Sequence, residues 1–327
     1  ASRSAAPSYR PTTRTPATKR YRDLTVSTAA TTAPSLPTRS PLIAWGARVV
    51  WAATALTGAV AVDQSLDGAD PAARIIVPAL WWVLVAATLL ALVVPSPTGL
   101  TAVRLATPLT VALAVATLLA GADTAWGAGF LVASLGAVGT FLSADFASVM
   151  VQGSAYGSEQ RFPLRAPVAV LVPMVVSWIA WASCTVAGVA LLARSSWVVG
   201  IVLAVVSVAI GVALFPRYQR LARRWLVIVP AGVVLHDSLV LGETLMVQRP
   251  EVARVGLAPA DTEAADLSGP AAGHLIEVVL RDMTLAVFPA SSEHPQGRAI
   301  HLQSYLVAPS RPGRALRAMA AARLPVG

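Results

Sequence analysis

Six apolar segments, each near the length that crosses a bilayer, occupy most of the first two thirds of this chain. They run over residues 42–62, 75–94, 105–121, 125–143, 166–193 and 197–215. A hydrocarbon core of ~30 Å takes roughly 20 helical residues, and backbone polar groups inside it must be satisfied within the chain. The fold class expected is therefore a membrane α-helical bundle of six transmembrane helices, followed by a small β-rich cytosolic domain with a C-terminal helix. The domains read as a basic tail 1–41, a transmembrane domain 42–216 and a β domain 217–327. The third segment is the shortest, so a re-entrant third and fourth pair is the competing topology.

Charge fixes the expected orientation. Apolar residues make up 56% of the chain and charged residues 13%, against roughly 25% charged in an average soluble domain. A net charge of +9 raises nucleic-acid binding as an option, but the cations are distributed by topology. The tail carries Arg3, Arg10, Arg14, Lys19, Arg20, Arg22 and Arg39 against Asp23, and the connection 63–74 carries three aspartates against Arg74. Arg161 and Arg165 lie in the connection 144–165, and Arg217, Arg220, Arg223 and Arg224 follow the sixth segment. Alternate connections are thus basic. By the positive-inside rule both termini face the cytoplasm of a cell-membrane protein, and no nucleic-acid partner is expected. The Ser-, Thr-, Pro- and Arg-rich tail predicts disorder.

Charges within spans are costly and default to functional hypotheses. The second, fourth, fifth and sixth segments contain none, which argues against a proton- or ion-coupled transporter. Arg48 lies just inside the first segment and Arg104 borders the third, where long side chains snorkel to the headgroups. Arg48, Trp178 and Trp181 form a candidate intramembrane pocket, with Ser177, Cys184 and Thr185 near the two tryptophans. Gly127, Gly129, Gly136, Gly139, Gly200 and Gly211 predict close helix packing.

After Arg224 the pattern changes to short β-branched runs broken by Pro, Gly, Asp and Ser, which predict antiparallel strands. These runs are Trp225–Val229, Gly232–His236, Leu239–Leu241, Thr244–Gln248, Val252–Val255, His274–Arg281, Thr284–Phe288 and Ala299–Val307. Pro312–Leu324 predicts a closing helix, capped by Ser310, with Ala315, Leu316, Met319, Ala320 and Leu324 as its apolar stripe. The segment 144–165 is the longest connection between spans and reads as a docking loop against this domain.

The order of these elements, with WLVIVPAGVVLHD (Trp225–Asp237) and YLVAPSRPGRALRAM (Tyr305–Met319), resembles bacterial membrane-attached pleckstrin-homology-like (PH-like) domains. With GSAYGSEQRFPLR (Gly153–Arg165), the chain as a whole resembles uncharacterised actinobacterial multi-pass membrane proteins. The resemblance implies a PH-like module and carries no catalytic residues.

The chain has no phosphate-binding Gly-Lys-Ser/Thr loop, no His-Glu-x-x-His helix and no Gly-x-Ser-x-Gly elbow. No catalytic, cofactor or metal site is expected. The function expected is that of a non-enzymatic membrane protein whose cytosolic PH-like module binds a protein partner, self-associates or scaffolds an assembly. The alternative is a small-molecule or lipid permease, with Arg48, Trp178 and Trp181 along the pathway. Arg217, Arg220, Arg223 and Arg224 share a helical face by three- and four-residue spacing, and are candidate contacts with the lipid bilayer.

Overall fold

The computed structural model describes residues 40–290 and 294–327. The tail expected to be disordered lies outside the described residues, save for its last two positions. Among the described residues, six helices are long and apolar enough to cross a membrane, the architecture of a multi-pass membrane protein: α1 (Ser40–Ser65), α2 (Pro71–Val93), α3 (Pro97–Leu119), α4 (Thr124–Leu142), α6 (Val168–Ala193) and α7 (Trp197–Ala222). A shorter helix, α5 (Ala144–Gln152), follows α4. The third and fourth segments are full helices of 23 and 19 residues. α3 starts well before its apolar run because Ser96 accepts a hydrogen bond from the Gly99 amide (3.0 Å) and Pro97 fills the first turn, both strong initiation signals.

Lipid tails are as apolar as leucine, so helices in a membrane are held by packing rather than by water exclusion. α1 to α4 satisfy this with a close core around Trp51, Trp81, Phe130 and Phe141. Trp81 meets Phe130 edge-on at 5.2 Å between centroids. Gly58 makes that contact possible: a Cβ there would overlap the Trp81 ring and sit 2.8 Å from Phe130. α3 runs through the centre, burying Val103, Thr107, Thr110, Ala114 and Thr117 on one face. The three threonine hydroxyls donate to carbonyls of their own helix at 2.6–2.9 Å, which leaves them no polar demand on neighbours. α6 and α7 form a hairpin that leans on α2 and α3.

The β region consists of two four-stranded sheets. The first joins β1 (Gln160–Pro163), β2 (Trp225–Val229), β3 (Gly232–His236) and β4 (Leu245–Gln248), in that order and antiparallel throughout. The second has the order β5 (Val252–Leu257), β7 (Ile276–Phe288), β8 (Arg298–Val307) and β6 (Ala265–Asp266), with β6 parallel to β8. Their inner faces bury Leu226, Ile228, Val233, Val247, Val278 and Tyr305 in one core. Helix α8 (Pro312–Ala321) closes it with Ala315, Ala318 and Met319.

Several features of this region differ from expectation. The closing helix follows Arg311 with no side-chain cap and ends at Ala321 with Ala320 exposed, rather than running from a Ser310 cap to Leu324. The first strand comes from the connection between α4 and α6, outside 217–327, while residues 217–222 still belong to α7. Leu239–Leu241 is a turn, held by the Asp237 carboxylate accepting the Leu239 amide at 3.1 Å. The two strands expected over 274–288 are one 13-residue strand whose register shifts between Val279 and Thr284.

The Tyr305 hydroxyl is fully buried with no hydrogen-bond partner among the described residues, and burial raises its pKa. An unsatisfied buried polar group costs about 1–3 kcal/mol. Tyr305→Phe should therefore raise the melting temperature of the purified protein; a fall would mean that the hydroxyl is satisfied.

Candidate functional site

The junction of helices and sheets is built by the pairing of β1 with β2. Pro163 lies opposite Trp225 and Gln160 opposite Ile228, so the chain leaves β1 and re-enters β2 at neighbouring positions. Between those positions it makes the whole α6–α7 hairpin. Two membrane-spanning helices thus stand where a β-hairpin would have its turn. The segment after β1 is fastened again on its other side: the Arg165 amide donates to the Ala308 carbonyl and the Ser310 amide to the Pro163 carbonyl, each at 2.8 Å.

Arg224 and Asp237 lock this crossing. Arg224 Nε donates to Asp237 Oδ1 at 2.8 Å and Nη2 to Oδ2 at 2.6 Å, and both side chains are fully buried. The same guanidinium donates to the carbonyls of Arg165 (2.7 Å) and Ser268 (3.2 Å). The fork geometry of arginine suits a bidentate carboxylate with donors left over. One side chain therefore ties the exits of β1, β3 and the 268 turn to the start of β2. Arg224 is thereby removed from the expected membrane collar: α7 ends at Ala222, and two residues later the chain has turned into the interior. Arg217, Arg220 and Arg223 remain exposed at the end of α7.

α5 mediates the rest of the junction. Phe146, Ala147, Met150 and Val151 bury into the helical core. Its last residue, Gln152, accepts the Arg161 amide and donates to the Glu159 carbonyl, both at 2.8 Å. Asp145 in its first turn pairs with Arg311 and Arg314 of the closing-helix segment at 2.8 Å each. The Arg311 hydrogen bonds, with Arg314 beside them, hold the Asp145 carboxyl below its usual range. Exposed pairs of this kind contribute only about 0.2–1 kcal/mol each, so they orient the two parts more than they bind them.

On the outer face of the first sheet, Arg161 lies over Trp225 at 5.2 Å and Trp225 stacks on His236 at 5.1 Å. Burial holds the His236 pKa below its ordinary value of about 6.5; Asp237 opposes this, and Arg161 and Arg223 reinforce it. A depressed folded pKa means that the unfolded chain takes up the proton first. This contribution to stability is present above the ordinary imidazole value and is lost as pH falls toward the depressed one. Melting temperature should thus drop between pH 7 and pH 5.5, and His236→Phe should flatten that dependence while keeping the stack. An unchanged slope in the variant would assign the effect to another group.

The structure does not assemble the expected intramembrane trio. Arg48 donates to the carbonyls of Leu92 and Val93 at the C-terminus of α2 (3.3 and 3.4 Å) and lies over Trp45. Arg104 does the same for α4, reaching the Phe141 carbonyl at 3.0 Å. A cation at a helix C-terminus is favoured by the unsatisfied carbonyls and the helix dipole, and each arginine ties its own helix to the next. Trp178 donates to the Leu105 carbonyl and Trp181 to the Ser207 carbonyl, both at 3.1 Å. Trp181, with Leu84, Leu105, Phe215 and Tyr218, lines a cavity of about 380 Å³ between α2, α3, α6 and α7; Arg48 is not among its lining residues.

No protein-family model, curated protein or solved structure matches the chain.

Proposed function

We propose that this is a non-enzymatic integral membrane protein whose helical bundle holds a PH-like module at the cytoplasmic face, where the module binds a protein partner or a second copy. The threading carries this reading: the module has a transmembrane hairpin between its first and second strands. Its four antiparallel strands, second sheet and closing helix support the PH-like comparison. The module also exposes Met246, Leu257, Met283 and Leu285, apolar groups suited to a protein surface. Photoreactive residues at Met246 and Met283 of the full chain in native membranes should crosslink a discrete protein band. Crosslinks to lipid alone would overturn the reading.

The basic connections 144–165 and 217–224 lie at the sheet end of the bundle, which supports a cytoplasmic module with both termini inside. In a Cys184→Ser background, Asp67→Cys should label from outside the cell and Asp282→Cys should not. The reverse pattern would invert the orientation. The apolar cavity beside Trp181 favours a second reading, a permease for a lipid-like molecule. Co-purification of a single apolar compound lost in Ala106→Phe protein would support it.

A further inference from the structure

A second cleft, of about 300 Å³, opens where the ends of α3, α4 and α7 meet the β1 segment. Leu100, Leu142 and Leu221 supply its apolar lining, and Arg104, Arg165 and Ser310 its polar lining; no acidic residue lines it among the described residues. Arg104 uses Nε and one Nη2 hydrogen on the Phe141 and Leu142 carbonyls, which leaves both Nη1 hydrogens and the second Nη2 hydrogen as donors. Arg165 uses Nη2 on the His274 carbonyl, while its Nε is buried without a hydrogen-bond partner among the described residues. Neither forms an ion pair with a described carboxylate. The acidic neighbour of the lining residue Ala144, Asp145, is engaged by Arg311 and Arg314.

These two partly desolvated cations have carbonyl partners but no counter-charge beside the cleft, which leaves part of their desolvation cost unmet. An anion with several acceptor oxygens removes that cost and uses the directional donors of arginine. Burial also depresses the Arg165 pKa, in keeping with a cation that lacks its counter-charge.

We propose that this cleft binds a phosphate group, held by Arg104 and Arg165 and carried either by an anionic lipid headgroup or by a soluble phosphate. A cleft that combines leucines with two cations matches the mixed polarity of a lipid at headgroup depth. This site is separate from the exposed arginines at the end of α7, and it does not depend on the partner-binding reading.

The test compares melting of the full-length protein in neutral detergent with added phosphatidylglycerol, phosphatidylcholine or inorganic phosphate. Stabilisation by phosphatidylglycerol but not phosphatidylcholine, weakened about tenfold in apparent affinity by Arg165→Gln or Arg104→Gln, supports a lipid source. Stabilisation by inorganic phosphate with the same loss supports a soluble one. Equal response to both lipids with none to phosphate overturns the proposal, as does an identical response in parent and variants. Should the variants fail to fold, native mass spectrometry of the parent from mixed nanodiscs decides. Retention of phosphatidylglycerol above its bulk share supports the site, and retention at bulk composition overturns it.

Discussion

Asp237→Ala should destabilise the full-length protein by about 3–5 kcal/mol, because it leaves the Arg224 guanidinium buried without its counter-charge. The pair has no solvent to fall back on, since both side chains are fully buried. The damage should concentrate at the crossing of β1 and β2, where Arg224 also holds the Arg165 and Ser268 carbonyls. Denaturant titration and limited proteolysis between residues 158 and 168 report the two effects separately. Replacing both partners, as Arg224→Met with Asp237→Leu, should recover part of the loss, since an apolar pair avoids the orphaned charge. Wild-type stability in the single variant would mean that the ion pair is incidental to the junction.

Residues 225–327 expressed alone should fail to fold. Such a segment lacks β1, so β2 becomes an unpaired edge, which invites aggregation, and it lacks Arg224, which orphans Asp237. Joining residues 156–165 to residues 223–327 through a short Gly/Ser turn in place of the α6–α7 hairpin should restore a soluble, sheet-rich domain. The join is geometrically direct because Pro163 and Trp225 are already cross-strand neighbours. Circular dichroism and dispersed amide resonances distinguish the outcomes. A folded 225–327 fragment would show that β1 is dispensable.

The six spans were legible because each is a continuous apolar run, a signal that survives without any knowledge of neighbours. Most of the strands were legible for a related reason: Leu245 and Val247 are buried while Met246 and Gln248 are exposed, the two-residue period of a half-buried strand. β1 was not, because Gln160–Pro163 is short, partly polar and ends in proline, and its partner lies beyond two transmembrane helices. Pairing at that distance leaves no local period to read. Arg224 was grouped with its neighbours by helical spacing, and only the end of α7 at Ala222 separates it from them. The threonines of α3 carried no signal in the sequence. Their hydroxyls are satisfied within the helix, so they pack as small residues rather than act as polar ones.

The placement of a transmembrane hairpin inside a β-hairpin also imposes an order on biogenesis. β1 leaves the ribosome before α6 and α7, and its partner β2 follows β1 by roughly 60 residues, several seconds at ordinary elongation rates of 5–20 residues per second. During that interval the strand has no ladder to join. Closure then needs α6 and α7 to behave as a pair, because a single crossing leaves β2 on the side opposite β1. A chain in which only one of α6 and α7 crosses leaves β1 and β2 on opposite faces of the membrane and exposes two open edges. Completion of the sheet thus reports that the two crossings are matched, and a quality-control protease that recognises unpaired strands would remove the unmatched chains without inspecting the membrane part.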